Sequence, residues 1–184
     1  MNAVLAEKKF IKLDVGCGPN KKAGFTGIDQ YEFANVDIVA DLKGHWPLED
    51  DSVEEANLSH VLEHFTGVER AHVCNELHRV LMKGGKALII TPHWASNRAY
   101  GDYTHQWPPV SEMFYYYLNR EWRLANAPHT DVKNDKLGYD CDFDFTAGYS
   151  MHPELIPRNQ QYQTHAMTFW KEACQDLIST IIKR

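Results

Sequence analysis

The chain has 184 residues, of which 43% are hydrophobic and 24% charged, and its formal net charge at pH 7 is -6. This length and composition are ordinary for one globular domain, so a single domain over residues 1–184 is predicted. The acidic balance argues against a general nucleic-acid-binding protein, which would carry a basic face. No apolar run approaches the roughly 20 residues of a membrane span, and residues 1–9 lack the pattern of a signal peptide. Neither nucleic acid nor a membrane is therefore expected as a partner.

The cysteines indicate the compartment in which the protein works. Cys17, Cys74, Cys141 and Cys174 are scattered along the chain and form no CxxC pair. Such spacing is typical of free thiols in a reducing environment and not of a disulfide framework or a zinc site. A cytoplasmic location is the expectation.

Strands alternate with helical segments in the first half of the chain. The run 10–15 is a short apolar strand that ends in two glycines, Gly16 and Gly18. Further strands are predicted at 25–29, 36–40, 53–59 and 86–91, with a helical turn at 60–65 and an amphipathic helix at 68–82 that the glycine pair 84–85 would stop. This alternation predicts a parallel sheet.

The connection between the first two strands is unusually short. Only residues 16–24 separate them, whereas a parallel crossover normally takes a dozen or more residues and a helix. We therefore expect the first crossover helix to be missing or reduced to a turn.

The second half of the chain changes character. Residues 93–109 are predicted to be a long polar and aromatic loop, followed by a helix over 111–119 with Ser111 as its N-cap. A strand at 142–146, a helix at 163–173 and a strand at 177–182 complete the pattern. The two late strands would form an antiparallel edge on the parallel sheet.

The residues that follow the predicted strands point to a ligand, because open α/β sheets bind ligands at the carboxyl ends of their strands. A glycine loop follows the first strand, Asp29 the second, Asp41 and Leu42 the third, and Ser59 and His60 the fourth. A carboxylate at the end of the second strand, such as Asp29, can accept hydrogen bonds from both hydroxyls of a ribose. An aspartate beside an apolar residue can bracket an adenine. The set predicts a pocket for an adenosine-containing ligand.

NAD and S-adenosyl-L-methionine (SAM) both fit that description. The dinucleotide fingerprint requires a third glycine that opens a helix and an acid about 20 residues later. Here Lys21 takes the third glycine position, and Asp29 follows Gly18 by only eleven residues. The pattern therefore favours adenosine without a pyrophosphate.

At this point the sequence resembles the class I SAM-dependent methyltransferases. The segment 13–18 (LDVGCG) is similar to their first motif, Asp29 to the acid that ends their second strand, 59–64 (SHVLEH) to the segment after strand four, and 76–85 to the helix and turn before strand five. The resemblance covers residues 10–92 in register. It departs from the fuller motif at Asn20, where a third glycine would stand, and in the shortened crossover.

The resemblance implies an α/β fold, a Rossmann-like three-layer sandwich with a mostly parallel seven-strand-type sheet and an antiparallel C-terminal edge. Residues 10–92 would be the SAM-binding half and 93–184 would carry the acceptor site. By resemblance, Gly16 and Gly18 approach the methionine part of SAM with support from Asp14, and Asp29 holds the ribose. The remaining cofactor contacts are Asp41 and Leu42 on adenine and Ser59 and His60 beneath the sulfonium.

The implied reaction is displacement at the SAM methyl carbon, which leaves S-adenosyl-L-homocysteine. Alignment supplies much of the rate, and a hydroxyl acceptor also needs a base. Candidate bases are His93, Asp102 and His105, in a loop that would form the acceptor site and a lid. Taken alone, His93 and His105 each fit a structural role somewhat better than a catalytic one. No metal site is predicted, since the pair His60 and His64 lacks a third ligand.

The acceptor is expected to be a small molecule. No asparagine-proline-proline-tyrosine motif follows the fourth strand, and no large basic surface is evident. Two alternatives remain: a different SAM-using reaction on the same scaffold, and a catalytically silent SAM-binding protein with a regulatory role.

Overall fold

A computed structural model of the protein describes residues 10–131 and 138–184. Within this part of the chain seven strands form one mixed sheet. They are β1 (Ile11–Val15), β2 (Thr26–Asp29), β3 (Ile38–Val39), β4 (Val53–Ser59), β5 (Leu81–Pro92), β6 (Phe143–Met151) and β7 (Cys174–Lys183).

Helices and 3₁₀ turns connect these strands. The α-helices of the described residues are α1 (Gly67–Val80), α2 (Arg98–Gly101), α3 (Glu112–Tyr116), α4 (Arg120–Asn126) and α5 (Gln160–Phe169). The 3₁₀ turns are Gly18–Asn20, Leu62–His64 and Pro128–Asp131. None of the described helices is long and apolar enough to cross a membrane.

The order of the strands in the sheet is β3-β2-β1-β4-β5-β7-β6. Strands β1 to β5 run parallel, and β7 runs antiparallel to both β5 and β6. The predicted α/β fold with a mostly parallel sheet and an antiparallel C-terminal edge is therefore confirmed. The chain leaves β1 in one direction towards β3 and then returns to the other side of β1 as β4. The topological switch point, where such folds bind ligands, thus lies between the carboxyl ends of β1 and β4.

The shortened first crossover is also confirmed. Between β1 and β2 the chain makes a single 3₁₀ turn, Gly18–Asn20, and no α-helix. Pro19 lies inside this turn, and Lys21, with φ -46° and ψ 134°, leaves it directly afterwards.

Helix α1 differs from its prediction at its C-terminal end. It begins after Thr66, whose side chain forms a capping box with Glu69, as its sequence favours. It ends at Val80, and β5 starts directly at Leu81, which pairs with Val53. The prediction that the glycine pair 84–85 stops the helix was wrong. These glycines instead lie in β5, where the register to β4 shifts. Glycine is needed at position 85 because a Cβ there would stand only 2.8 Å from the Met82 carbonyl oxygen.

Other boundaries also moved in the second half. Helix α3 ends at Tyr116, and the separate helix α4 follows, capped by the Asn119 side chain on the Trp122 amide. Helix α5 begins earlier than predicted because Asn159 caps it. Strand β7 starts at Cys174 instead of residue 177, since its first residues pair with β6.

The hydrophobic core lies against the central strands. Fully buried side chains of β1, β4 and β5 pack with the buried face of α1; they include Leu13, Leu58, Ile89, Val73 and Leu77. The core fixes the strand ends around the switch point and thereby the loops described next.

Candidate cofactor and acceptor site

The loop after β1 depends on two glycines that adopt left-handed backbone. Gly16 has φ +64°, and its amide donates to the Ile28 carbonyl at 2.8 Å. A Cβ on Gly16 would stand 2.7 Å from Cγ2 of Val61. Gly18 has φ +52°, and a Cβ there would meet no atom within 4 Å. Gly16 is therefore required both for its conformation and for close packing, whereas Gly18 is required for its conformation and faces open space.

Asp29, at the end of β2, joins this loop to the second strand. Its Oδ2 accepts from the Gly18 amide at 2.9 Å, and its Oδ1 accepts from the Tyr31 amide at 2.9 Å. The residue is only 7% exposed. A carboxylate can accept about four hydrogen bonds, so both oxygens retain acceptor capacity for ligand hydroxyls.

Asp14 organises the other side of the loop. Its Oδ2 accepts from the Lys22 amide and its Oδ1 from Nδ2 of Asn57, each at 2.7 Å. The Nζ of Lys22 lies 3.5 Å from Oδ1 of Asn57 and 4.4 Å from the centre of the Phe25 ring. Asp14 thus fixes the path of the loop through the backbone of Lys22.

Two adjoining cavities flank the loop and share Gly16. One, of about 430 Å³, is lined among others by Gly18, Asp29, Leu42, His60, His64 and Thr104. The second, of about 470 Å³, is lined by Asp14, Gly16, Cys17, Asn20, Lys22, Asn57 and Ser59. We refer to them as the carboxylate cavity, after Asp29, and the lysine cavity, after Lys22. Together they occupy the switch point of the sheet.

Ser59 and His60 end β4 between these cavities, with Ser59 in the lysine cavity and His60 in the carboxylate cavity. His60 has φ +58°, a conformation that is rare outside glycine and often found at functional sites. Its Nδ1 lies 3.2 Å from Oε1 of Glu63. This hydrogen bond to Glu63 raises the pKa of His60 above its ordinary value.

The structure separates the two predicted adenine contacts. Leu42 is buried and lines the carboxylate cavity. The Asp41 side chain is exposed, and its Oδ1 accepts from the Lys43 amide at 2.9 Å within its own turn.

Two of the three predicted catalytic residues lie beside the carboxylate cavity. The Asp102 Oδ1 accepts from Oγ1 of Thr104 at 2.6 Å, and its Oδ2 lies 4.0 Å from Nε2 of His105. Thr104 lines the cavity. The ring of His105 packs edge-on against His64, another cavity residue, with 4.9 Å between centres. Hydrogen bonds from Thr104 lower the pKa of Asp102.

His93 lies elsewhere. It is 2% exposed, and its Nδ1 accepts from the Ala95 amide at 3.2 Å, which leaves Nε2 to donate to Oε1 of Glu112 at 3.2 Å. The pKa of Glu112 is lowered by this hydrogen bond. His93 lines a third cavity, of about 540 Å³, with residues of β6 and α5 such as Tyr149 and Thr164. The fold therefore does not bring His93 together with His105 and Asp102.

The loop between β5 and α3 is attached to the rest of the protein at both ends. Near its start the His93 amide donates to the Gln175 carbonyl, and Arg98 forms an ion pair with Asp176 at 2.8 Å. Near its end the Gln106 amide donates to the Glu63 carbonyl at 2.8 Å. These contacts fix the ends of the segment that was predicted to serve as acceptor site and lid.

Buried Arg70 of α1 fastens the same loop to the turn after β4. Its Nε donates to the Leu62 carbonyl at 2.9 Å and its Nη2 to the Gln106 carbonyl at 3.0 Å. Nη1 donates to the Pro108 carbonyl. One guanidinium thus holds two segments that are distant in sequence against each other beside the cavity.

Several site residues were missed by sequence reasoning. Lys22 and Asn57 reach the lysine cavity, and Glu63, His64 and Thr104 lie at or against the carboxylate cavity. Asn57 could have been found, because side chains two positions apart on a strand share a face and Ser59 was already a candidate. The others depend on contacts between segments that are far apart in the chain.

The sequence was also compared with known protein families and with curated proteins. Residues 13–89 match the family described as Methyltransferase domain. A search of curated proteins found no significant match.

Solved structures share the fold over nearly the whole chain. A SAM-dependent methyltransferase from Archaeoglobus fulgidus is similar with a TM-score of 0.63 at 17% identity, over 96% of this chain and 86% of that one. A SAM-dependent methyltransferase from Mesorhizobium loti gives 0.50 at 18% identity, over 97% and 94%. The 4+2 cyclase SpnF gives 0.51 at 16% identity, over 96% and 76%. The same fold thus carries more than one reaction.

The fold and the two cavities define an open α/β protein with a ligand site at its topological switch point. The match of residues 13–89 to the Methyltransferase domain family agrees with the motifs noted in the sequence. Two of the structural neighbours are themselves SAM-dependent methyltransferases.

Proposed function

We propose that the protein transfers the methyl group of SAM to a small-molecule acceptor. In this proposal SAM spans both cavities across Gly16. The adenosine occupies the carboxylate cavity, with its ribose hydroxyls on Asp29 and its adenine against Leu42. The methionine occupies the lysine cavity beside Asp14, Asn57 and Ser59.

Lys22 is the residue that we assign to the methionine carboxylate. Its ammonium group lies beside Asn57 and over the Phe25 ring, in a cavity with two acceptor side chains, Asp14 and Asn57. A lysine offers a point charge to a carboxylate, and the acceptors suit the methionine ammonium. The short crossover supplies no helix N-terminus here, so the lysine and the loop amides take over that role.

The acceptor side is assigned to residues 93–184, and the cofactor side to residues 10–92. A cavity of about 490 Å³ has mainly apolar and aromatic walls, formed by Trp94, Tyr100, Trp107, Pro109, Met113 and Tyr116. Its polar lining residues are Ser111 and Glu112. Aromatic faces with a few polar groups suit a small organic acceptor such as a sugar or a hydroxylated metabolite. The four cysteines of the protein are free thiols, which is typical of proteins in the reducing cytosol, so we assign the protein to that compartment.

His105 and Asp102 are better placed than His93 to act on a hydroxyl acceptor, because they contact His64 and Thr104 in the wall of the carboxylate cavity. His93 lies in a separate cavity with Glu112, and we assign it to shaping the acceptor side. The mechanism is a direct displacement in which the protein aligns the acceptor oxygen, the methyl carbon and the sulfur.

The observation that carries the proposal is the hydrogen bond between the Gly18 amide and Asp29 at the switch point, with a cavity on either side of Gly16. The test is transfer of radiolabel from methyl-labelled SAM to pooled small-molecule extracts, with RNA and protein pools in parallel. Label in a small molecule that is lost with Asp29→Ala supports the proposal. Label only in RNA or protein, or SAM binding without transfer to any pool, overturns it.

A further inference from the structure

Three side chains beside the carboxylate cavity converge in a way that SAM binding does not require. Glu63, His64 and His105 each offer one ligand atom, and these atoms all lie within 4.8 Å of one another. Glu63 and His64 belong to the 3₁₀ turn after β4, and His105 to the loop after α2. Sequence reasoning found no third ligand for the pair His60 and His64. The fold supplies a different set, one carboxylate and two imidazoles.

The carboxylate of Glu63 is only partly satisfied. Glu63 is 4% exposed, and its Oε1 lies 3.2 Å from Nδ1 of His60. Its Oε2 is buried and has no hydrogen-bond partner among the described residues. An unpartnered buried carboxylate oxygen is costly and calls for an explanation. A cation held between Glu63 and the two histidines would supply the missing partner.

Both histidines are oriented as metal ligands usually are. The Nδ1 of His105 donates to the Ala99 carbonyl at 3.2 Å. The Nδ1 of His64 lies 2.9 Å from Oγ1 of Thr104, which in turn donates to Asp102. In each ring Nδ1 therefore carries the proton and Nε2 keeps its lone pair. A ligating histidine typically makes this second hydrogen bond, and a ligating carboxylate is itself hydrogen-bonded, as Glu63 is to His60.

The ligands are also held in place before any ion binds. The Gln106 amide donates to the Glu63 carbonyl at 2.8 Å, so the residue after His105 is tied to the residue before His64. Arg70 reinforces this through its bonds to the Leu62 and Gln106 carbonyls. A preorganised set of two imidazoles and one carboxylate is the ligand set of catalytic zinc sites and of other divalent transition metals.

We propose that Glu63, His64 and His105 bind one divalent transition-metal ion of the Zn²⁺ type and leave a coordination position open towards the carboxylate cavity. His64 and Thr104 line that cavity, so the open position faces the space assigned to SAM. An acceptor hydroxyl that reached this position from the acceptor side would bind the ion, which would make its proton easier to remove.

The use of the ion in methyl transfer rests on the proposed function. The acceptor oxygen forms a bond to the SAM methyl carbon as the carbon–sulfur bond breaks. The electron pair of that bond goes to sulfur, which turns the sulfonium into a neutral thioether, and the hydroxyl proton leaves to water. No oxidant or reductant is needed. The proposal therefore names hydroxyl compounds as the acceptor class.

The test is metal binding itself, measured without SAM. EDTA-treated, tag-free protein is titrated with Zn²⁺ by calorimetry and with Co²⁺ by visible absorption. We expect one ion to bind per chain, and we expect bound Co²⁺ to show the visible absorption typical of a low coordination number. His64→Gln, His105→Gln and Glu63→Gln should each weaken binding by about 100-fold or more, since even outer-shell changes cost about 10–100-fold. His165→Gln, which replaces an exposed histidine on α5, is the matched control and should bind like the native protein.

The outcomes are decisive even if the buried Glu63 variant folds poorly. His64 is exposed, so His64→Gln should remain folded by circular dichroism and carries the test. No Zn²⁺ or Co²⁺ binding by the native protein, or equal binding by native protein and His64→Gln, would overturn the site. S-adenosylhomocysteine binding by the metal-free protein is measured alongside. Its loss would count against the proposed function and not against the metal site.

Discussion

The Gly18 amide donates a 2.9 Å hydrogen bond to Oδ2 of Asp29, which ties the loop after β1 to the carboxyl end of β2. In a protein whose first crossover has shrunk to one 3₁₀ turn, this bond replaces the support that a helix would give. It also leaves acceptor capacity on a buried carboxylate at the edge of a cavity. The proposed cofactor site therefore relies on backbone amides and carboxylates instead of a helix N-terminus.

Replacing Asp29 should impair cofactor binding more than folding. Hydrogen bonds to a charged group contribute about 1.5–3 kcal/mol each, so Asp29→Ala should weaken S-adenosylhomocysteine binding by about 10-fold or more in calorimetry. Asp144→Ala is the control, since Asp144 is an exposed aspartate of β6 at the far edge of the sheet. Equal affinities of the two variants would remove Asp29 from the site.

The two glycines of the loop should respond differently to alanine. Gly18→Ala should lose about 1–2 kcal/mol in urea unfolding, because it meets only the cost of left-handed backbone. Gly16→Ala should lose about 1–3 kcal/mol more, because its Cβ would also overlap Val61.

A second substitution isolates the steric part of that loss. Val61→Ala in the Gly16→Ala background should recover part of the lost free energy of unfolding, although Val61→Ala alone destabilises the native protein. If Gly16→Ala and Gly18→Ala lost the same free energy of unfolding, and the double variant recovered none of it, the overlap with Val61 would not be a cause of the loss at Gly16.

Arg70 should be essential for the wall between the turn after β4 and the loop after β5. Arg70→Met removes the donor of the Gln106 and Pro108 carbonyls and one of the two donors of the Leu62 carbonyl, which keeps the Phe65 amide. Buried groups that lose a partner cost about 1–3 kcal/mol each, so the free energy of unfolding should fall by about 3 kcal/mol. Arg70→Lys keeps the charge but not the planar fork and should recover less than half of the loss. Full recovery by lysine would mean that charge alone suffices.

Glu76 should make stability fall in mild acid. Burial alone would raise its pKa, but hydrogen bonds from Arg79 and from the Trp46 amide outweigh burial and lower it. The ionisable groups facing it are Arg79 and, at 3.4 Å, His45, with Asp50 beyond Arg79. A lowered folded-state pKa stabilises the protein above the ordinary glutamate value, about 4.3, and this contribution is lost as pH falls below it.

Melting temperatures measured from pH 6 to pH 3.5 test this assignment. Glu76→Gln should be less stable than the native protein at pH 6 and should show a shallower decline towards pH 3.5. Parallel declines of the two proteins would indicate that other carboxylates carry the acid sensitivity.

The features that could be predicted from the sequence are those that local pattern and turn chemistry determine. The glycine loop, Asp29 at the end of β2 and the missing crossover helix all lie within twenty residues and follow from strand pattern and spacing. The boundaries of α1 and β5 could not be read, because the glycine pair that normally ends a helix is used here inside a strand, where the register shifts.

The parts of the site that were missed depend on tertiary contacts. Asn57 meets Asp14 across 43 positions of sequence through strand pairing. His105 meets Glu63 and His64 where Arg70 and the Gln106 amide hold the loop against the turn after β4. Neither the turn after β4 nor the loop after α2 carries a sequence pattern that indicates contact with the other. The cluster could therefore be found only from the folded structure.

Binding of S-adenosylhomocysteine to the native protein, measured by calorimetry and supported by thermal shift, tests the central claim most directly. We expect saturable binding of one molecule per chain and a rise in melting temperature with ligand concentration, since a ligand that binds the folded state stabilises it. A folded protein that shows neither heat of binding nor any thermal shift with S-adenosylhomocysteine or SAM would contradict the account.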